Sequence, residues 1–395
     1  MGAPAARVYE LARHWLKMGH EVRVLTAFPN HPTGVVPEEY RGEIRRREFV
    51  DEIEVIRTWT FATPNKGFAK RIFNYLSFPI SAVLLGTTAV GACDVVIATS
   101  PQFFVAAAGY IVSRLKRRKF VFEVRDLWPD SIEAVGAMSN QFILRLLRGI
   151  EEFLYRRADK IIAVAYSTRN ILSERGVPES KIHVIPNGAD INLFRPGPRE
   201  NHIRDKYGID DSGFVVSYIG THGMAHGLQT VLDAASRLRD NKRFRFLLVG
   251  EGAEKEKLMS LAKGYALNNV MFINQQPKDV IPYFYQASDV CLVPLIDQPL
   301  FAAVIPSKMF EIMSCGRPIV LGVRGEACSL LERANAGITI EPENTDQLIN
   351  AILSLYKNKD LADSLGSNGR GFIEKYFSRE KMAVDYIGVL SSSQS

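Results

Sequence analysis

Residues 306–320 read Pro-Ser-Lys-Met-Phe-Glu-Ile-Met-Ser-Cys-Gly-Arg-Pro-Ile-Val. A loop turns into a helix at Ser307, the helix breaks at Gly316, and a β-branched strand opens after Pro318. A helix start offers unpaired amides and a positive dipole end, which suits a phosphate. Lys308 adds a full charge there, and Glu311, one turn on, carries oxygens that can accept hydrogen bonds from a pair of sugar hydroxyls. The same residues also fit a plain helix capped by Ser307 with a surface glutamate.

Outward from this stretch the helix-then-strand unit recurs. Phe214–Ile219, Phe244–Val249, Val270–Ile273, Val290–Pro294 and Pro318–Gly322 read as strands, each followed by a helical pattern. The first half alternates in the same way, with strands over Glu21–Thr26, Ile53–Thr58, Val95–Thr99, Phe120–Val124 and Lys160–Val164. Strands that alternate with helices form doubly wound parallel sheets, whose strand ends at the carboxyl side carry the chemistry. A chain of 395 residues is too long for one ordinary core. Pro186 and Gly188 mark a bend, so the expected division is 1–185, 186–377, and a final helix over 378–395 that packs back on the first domain. The expected class is α/β, with two Rossmann-like domains facing a cleft.

The first domain opens on a helix. Gly2-Ala3-Pro4-Ala5-Ala6-Arg7 looks like the loop and first turn that follow a strand, yet no strand precedes it. The expectation is a sheet lacking its central first strand, in a chain whose Met1 is an internal methionine of a longer protein.

A composition of 47% hydrophobic and 23% charged residues excludes wholesale disorder. The net charge of +6 is small, but basic clusters at Arg45-Arg46-Arg47, Lys116-Arg117-Arg118-Lys119 and 145–157 all lie in the first half. They point to solvated faces or to a partner bearing phosphates, and the absence of interleaved aromatics argues against nucleic acid. Cys93, Cys291, Cys315 and Cys328 sit in apolar runs without a Cys-x-x-Cys pair, as reduced thiols of a cytoplasmic protein would. Met1 runs almost directly into an amphipathic pattern, which predicts no secretory leader. The uncharged stretch Ile72–Cys93 is interrupted by Asn74, Pro79 and Gly86 and reads as a buried or membrane-surface helix rather than a span. No His/Cys/Asp cluster has metal-ligand spacing, so neither a metal nor another cofactor is expected.

The 306–320 stretch, with Val184 to Asp190, Tyr218-Ile219-Gly220 through Gly227-Leu228, and Val249-Gly250-Glu251-Gly252, resembles the retaining glycosyltransferases of family 4, which have the GT-B fold. The opening Gly-Ala-Pro-Ala-Ala-Arg and the Pro-Ser-Lys variant resemble the bacterial O-antigen and capsule subgroup, including N-acetyl-L-fucosamine transferases. The resemblance implies transfer of a sugar, with retention and by front-face substitution, from a UDP-linked nucleotide-sugar donor. It implies as acceptor a polyprenyl-diphosphate-linked saccharide, met by a peripheral protein on the anionic inner face of the cytoplasmic membrane. A nucleotide-sugar 2-epimerase of the same fold and a non-catalytic sugar- or lipid-binding relative are the alternatives.

By this resemblance the donor is held by Gly220, Gly223, His226, Gly250, Glu251, Pro306, Ser307, Lys308 and Glu311, with Asn274-Gln275-Gln276-Pro277 near the base. Glu311 matches the family's ribose-binding glutamate. Its usual partner eight residues earlier is Ala303, and the Arg and Lys that commonly meet the diphosphate are Thr221 and His226 here. Arg125 replaces a customary histidine, while Asp126 matches. The expected catalytic residues are thus Asp126, Arg125, Lys308 and Glu311. Gly2, Arg7, Ser100 and Trp128 are expected on the acceptor side.

Overall fold

A computed structural model describes residues 3–392 except 31–33, 64–67, 101–102, 135, 137 and 139, so Gly2 lies outside the described residues. The chain divides into two compact units, Val8–Ile185 with Ala383–Ser395, and Met1–Arg7 with Pro186–Met382.

In the first unit the β-branched runs become β1 (Arg23–Ala27), β3 (Ile53–Thr58), β4 (Val95–Thr99), β5 (Lys119–Val124) and β6 (Lys160–Ala163). Two more strands join them, β2 (Arg45–Val50) and β7 (Ile182–Val184). The sequence reading missed β2 because Arg45-Arg46-Arg47-Glu48 shows no apolar alternation. It forms through its turn: Asp51 and Glu52 both take positive φ, 45° and 68°, and Val50 pairs with Ile53 in an antiparallel hairpin. Two successive positive φ values are what a two-residue hairpin needs to match strand twist.

The strands fall into two sheets, β1-β3-β2 and β4-β5-β6-β7. β5 and β6 are almost wholly buried, whereas β1 has no buried residue and β4 only one. In a doubly wound sheet the middle strands are the most covered. Arg23, the first residue of β1, donates from Nη1 to the carbonyl of Ala92, just ahead of β4, so the two strands begin one arginine side chain apart. The opening helix, Ala3–Lys17, lays Ala12 on Ile53 and Val55. Its Trp15 donates to the carbonyl of Ala383 and meets the Tyr386 ring edge-on, which ties the C-terminal helix Arg379–Ser391 to this unit.

The basic cluster at 45–47 is matched locally. Arg46 pairs with Glu43 and Glu48, and Arg47 with Glu54. Ile72–Cys93 becomes a helix over Phe68–Ser81, a π-helical turn over Ala82–Gly86 and a short helical turn over Thr87–Ala89. Gly86 lies directly on Leu25, where any Cβ would collide. No helix among the described residues is long and apolar enough to cross a membrane.

The second unit holds β8 (Phe214–Ile219), β9 (Phe244–Val249), β10 (Val270–Ile273), β11 (Val290–Pro294), β12 (Ile319–Gly322) and β13 (Gly337–Thr339). All pair in parallel, in the order β10-β9-β8-β11-β12-β13. Its core is built on Val216, Tyr218, Phe246, Leu248, Leu292 and Val320, with Leu232 and Ile352 from flanking helices. β13 is only Gly-Ile-Thr, and Gly337 has no room for a side chain against the backbone of Ile319, so pattern alone did not mark it. The strand order reverses between β8 and β11, and a crevice for ligands opens at the carboxyl ends of strands at such a reversal.

The open edges have a measurable consequence. Amides of β4 that point away from β5 should exchange with solvent at least about tenfold faster than those of β5, which is paired on both sides. Hydrogen exchange resolved by residue checks this; equal protection would mean that the edges are covered.

Candidate active site

Tyr218, near the end of β8, is fully buried, and its hydroxyl donates to the carbonyl of Thr221 at 2.7 Å. Burial holds the phenol well above its usual range, so it stays neutral. Three basic side chains gather around its ring. Lys308, the first residue of the helix Lys308–Ser314, places Nζ 3.9 Å from the ring centroid. The rings of His222 and His226 lie 5.9 and 5.8 Å away.

Each of the three is pushed toward its neutral form. Burial lowers Lys308 to about 7, partly offset by Glu311. Burial lowers His222 to about 4, with the charges of Lys255 and Lys308 adding to the effect. His226 falls to about 3, chiefly through burial and then Lys308, with the Pro294 backbone opposing. Among the described residues, neither ring nitrogen of His222 has a hydrogen-bond partner, nor does Nδ1 of His226, and Lys308 has no salt bridge. His222 is buried, whereas Lys308 and His226 are half-buried, and an anion brought beside them would favour their charged forms.

The backbone around this cluster has no room for side chains. Gly220 and Gly250 take φ of +151° and +149°. A Cβ on Gly220 would overlap the Lys308 ammonium, one on Gly250 the carbonyl of Gly220, and one on Gly252 the backbone of His222. The loops stay paired past the strand ends, Gly220 N to Val249 O and His222 N to Glu251 O, each at 2.9 Å. Glu251 is bound by Lys255 at 2.7 Å, and Lys255 also donates to Asn274 Oδ1 at 2.8 Å, so that amide oxygen is occupied. Ser307 stands at the helix start without a side-chain capping bond, Pro306 accepts from the Met309 amide, and Glu311 lies one turn inside the helix. Gly223 is the extended residue ahead of the turn Met224–His226.

In the first unit, β5 ends at Glu123-Val124, ahead of Arg125 and Asp126. Ser100 Oγ accepts from the amides of Arg125 at 2.7 Å and Asp126 at 3.3 Å, so this hydroxyl holds the turn together. Burial raises the Asp126 carboxyl above its usual range, and Arg125 opposes. Trp128 meets Phe104 edge-on at 6.3 Å. Just beyond, Asp130 receives Arg148 at 2.9 Å and Arg175 at 2.5 Å, which fasten this loop to two helices.

Residues 199–372 match the family described as glycosyl transferases group 1, and residues 2–188 match the glycosyl transferase 4-like domain. The chain thus joins a glycosyl transferase 4-like domain to a glycosyl transferases group 1 domain. It is 26% identical over 388 residues to the "Putative colanic acid biosynthesis glycosyl transferase WcaI" of Escherichia coli K12, covering 94% of this chain and 92% of that relative. Among solved structures, sucrose-phosphate synthase from Thermosynechococcus elongatus has a TM-score of 0.76 at 20% identity, covering 99% of this chain and 94% of the other. Anabaena HepE in complex with UDP-glucose has a TM-score of 0.72 at 18% identity, covering 95% and 100%. Likeness at these identities shows the fold: two Rossmann-like parallel-sheet domains of the GT-B type.

Within the second unit of this glycosyltransferase, the expected residues Gly220, Gly250, His226 and Lys308 come together around Tyr218. Glu251 is tied up with Lys255. Arg7 is buried, with Nη1 donating to the Pro186 carbonyl at 2.9 Å and to Asn187 Oδ1 at 3.2 Å, so it anchors the opening helix to the start of the second unit's main segment. His222 and Tyr218 were missed as site residues. The one sequence signal was a second histidine in the loop after β8, and only the fold shows that both rings reach the same tyrosine. Gly250→Ala should destabilise the second unit by about 1–3 kcal/mol through overlap with Gly220, read as a lowered thermal midpoint; an unchanged midpoint would mean that the two loops can part.

Proposed function

We propose that this glycosyltransferase moves a sugar with retention from a UDP-linked donor, held by the second unit, to a lipid-linked saccharide of bacterial surface polysaccharide. The observation that carries the reading is the set of basic side chains around Tyr218 at the strand-order reversal, with no carboxylate in salt-bridge contact with Lys308 among the described residues. Such a cluster of basic groups suits an anion, and a diphosphate is one. Lys308 would neutralise charge on the departing diphosphate, assisted by the amides at Gly223 and Ser307; the Gly220 amide, also expected there, already donates to the Val249 carbonyl. Glu311 would receive the ribose hydroxyls. With retention and no carboxylate assigned as a nucleophile, front-face substitution through an oxocarbenium-like state is the proposed course.

Asp126, held by Ser100 and biased toward protonation by burial, would orient the acceptor hydroxyl, with Arg125 beside it. The donor's nucleotide is supported by the UDP-glucose bound to Anabaena HepE, and the polysaccharide context by the name of the Escherichia coli relative. N-acetyl-L-fucosamine remains the subgroup resemblance for the sugar. No group of three or more potential metal ligands is present among the described residues, and the proposed leaving-group stabilisation uses Lys308 and backbone amides.

Lys308→Met should lower kcat about a hundredfold or more with the fold retained, measured by transfer from UDP, GDP and TDP sugars to a lipid-linked acceptor. Near-normal turnover would remove Lys308 from the mechanism. The same assay with chelator should run at an unchanged rate, and a loss would assign leaving-group stabilisation to a metal. A ring-inverted donor formed without acceptor would favour the epimerase alternative.

Peripheral membrane contact is the second part of the proposal. Phe73, Ile80 and Leu84 are exposed on the 68–86 segment. Phe142, Leu146 and Phe153 are exposed along Gln141–Arg157, beside exposed Arg145, Arg156 and Arg157. Apolar side chains flanked by cations favour the surface of an anionic bilayer. Vesicles rich in phosphatidylglycerol should float with the protein at low salt and release it when Phe142 and Leu146 are both replaced by Glu; equal flotation of the variant would overturn this face.

A further inference from the structure

In the first unit β5 and β6 run out together. They pair in parallel with Val124 opposite Ala163, so Arg125-Asp126 on one and Val164-Ala165-Tyr166 on the other leave the sheet side by side. This is the carboxyl edge, where ligands of such sheets lie. The two segments are also fastened to each other. Ser100 Oγ accepts from the amides of Arg125 and Asp126. Arg175, at the end of the helix Tyr166–Glu174, reaches Asp130, just past the same loop, at 2.5 Å. That helix turns Thr168 and Leu172 into the core and leaves Tyr166, its first residue, 57% exposed. The fold therefore does not bury this ring, and helix starts favour small polar caps and acids over aromatics. Trp128, also expected on the acceptor side, is half-buried and set edge-on to Phe104 at 6.3 Å.

Resting on the reading that Asp126 orients the acceptor hydroxyl, we infer that Tyr166 is a specificity-determining residue for the acceptor, its ring being the platform on which the accepting sugar lies. A pyranose carries C–H groups on its faces and hydroxyls around its rim. An open aromatic ring covers such a face, while a carboxyl group takes one rim hydroxyl. Tyr166 and Asp126 supply that pair from neighbouring strands, and the Arg175 to Asp130 ion pair holds the two at a fixed separation. Selectivity then follows from the shape of the covered face. An axial hydroxyl on it would be stripped of water without gaining a partner, and would hold the sugar off the ring. A face that presents only hydrogens lies flat.

The test is saturation-transfer NMR of the whole chain with the methyl glycosides of glucose, galactose, mannose, N-acetylglucosamine and rhamnose as probes, repeated in Tyr166→Ala, Tyr166→Phe and Asp126→Ala. The expected result is transfer to the C–H groups of one face of at least one glycoside. Its affinity should fall about fivefold in Tyr166→Ala and stay within about twofold in Tyr166→Phe, which keeps the ring. The preference among the glycosides should flatten in Tyr166→Ala, a change that a merely structural role would not produce, and thermal midpoints of both Tyr166 variants should match the wild type. Loss of binding in Tyr166→Phe as well would assign the contact to the hydroxyl and overturn the platform. Undiminished binding by Tyr166→Ala, with binding weakened in Asp126→Ala, would overturn the inference and leave the acceptor reading intact. Undiminished binding by both alanine variants, or no glycoside bound by the wild type, would overturn both.

Discussion

The second unit depends on one close approach: the Lys308 ammonium over the face of Tyr218, against the backbone of Gly220. A cation over an aromatic face is attracted by the ring quadrupole, and the attraction grows as water is excluded. β8 fixes the tyrosine, because the central strand is buried along its whole length. The helix at Lys308 is fixed from below by Met309, Phe310, Ile312 and Met313, all buried. The lysine therefore has little freedom to leave, and the backbone in front of it must consist of glycine.

That backbone is a stack of loops with no side chains between them. The turn after β8 runs directly beneath the turn after β9, and both continue their pairing past the strand ends. Glycine at 220, 250 and 252 is thus required by contact between main chains, and the amides of Gly220, His222 and Gly250 are held in that backbone pairing. Packing and function share one cause here, since bulk at these positions would fill the site and separate the strands' ends.

In the first unit the corresponding economy is electrostatic. Asp130 binds two arginines, Arg175 also reaches Glu151, and Tyr155 hydrogen-bonds Glu151, whose carboxyl burial pushes up to about 7. The loop that carries Arg125 and Asp126 is held between this network and the Ser100 hydroxyl. Several arginines that give the sequence its basic first half are spent on such internal pairs, which leaves Arg145, Arg156 and Arg157 exposed among those of the long helix. The clusters looked alike in sequence because spacing along a chain does not record which carboxylates arrive from elsewhere.

Local rules determined much by themselves. Alternating helices and β-branched runs encoded two parallel-sheet units, because period and turn chemistry act over a few residues. The glycines at 220 and 250, Lys308 and the family pattern around them were also legible. Tertiary structure alone decided what these residues touch. It formed β2 through a turn of two positive-φ residues, divided the first unit's sheet between β1 and β4, and turned Arg7 and Ser100 into backbone anchors. It also brought His222 and His226 to one tyrosine with Lys308, where burial sets their charge. Protonation in that pocket follows from desolvation and from neighbours more than 80 residues away along the chain, and no local pattern carries that information.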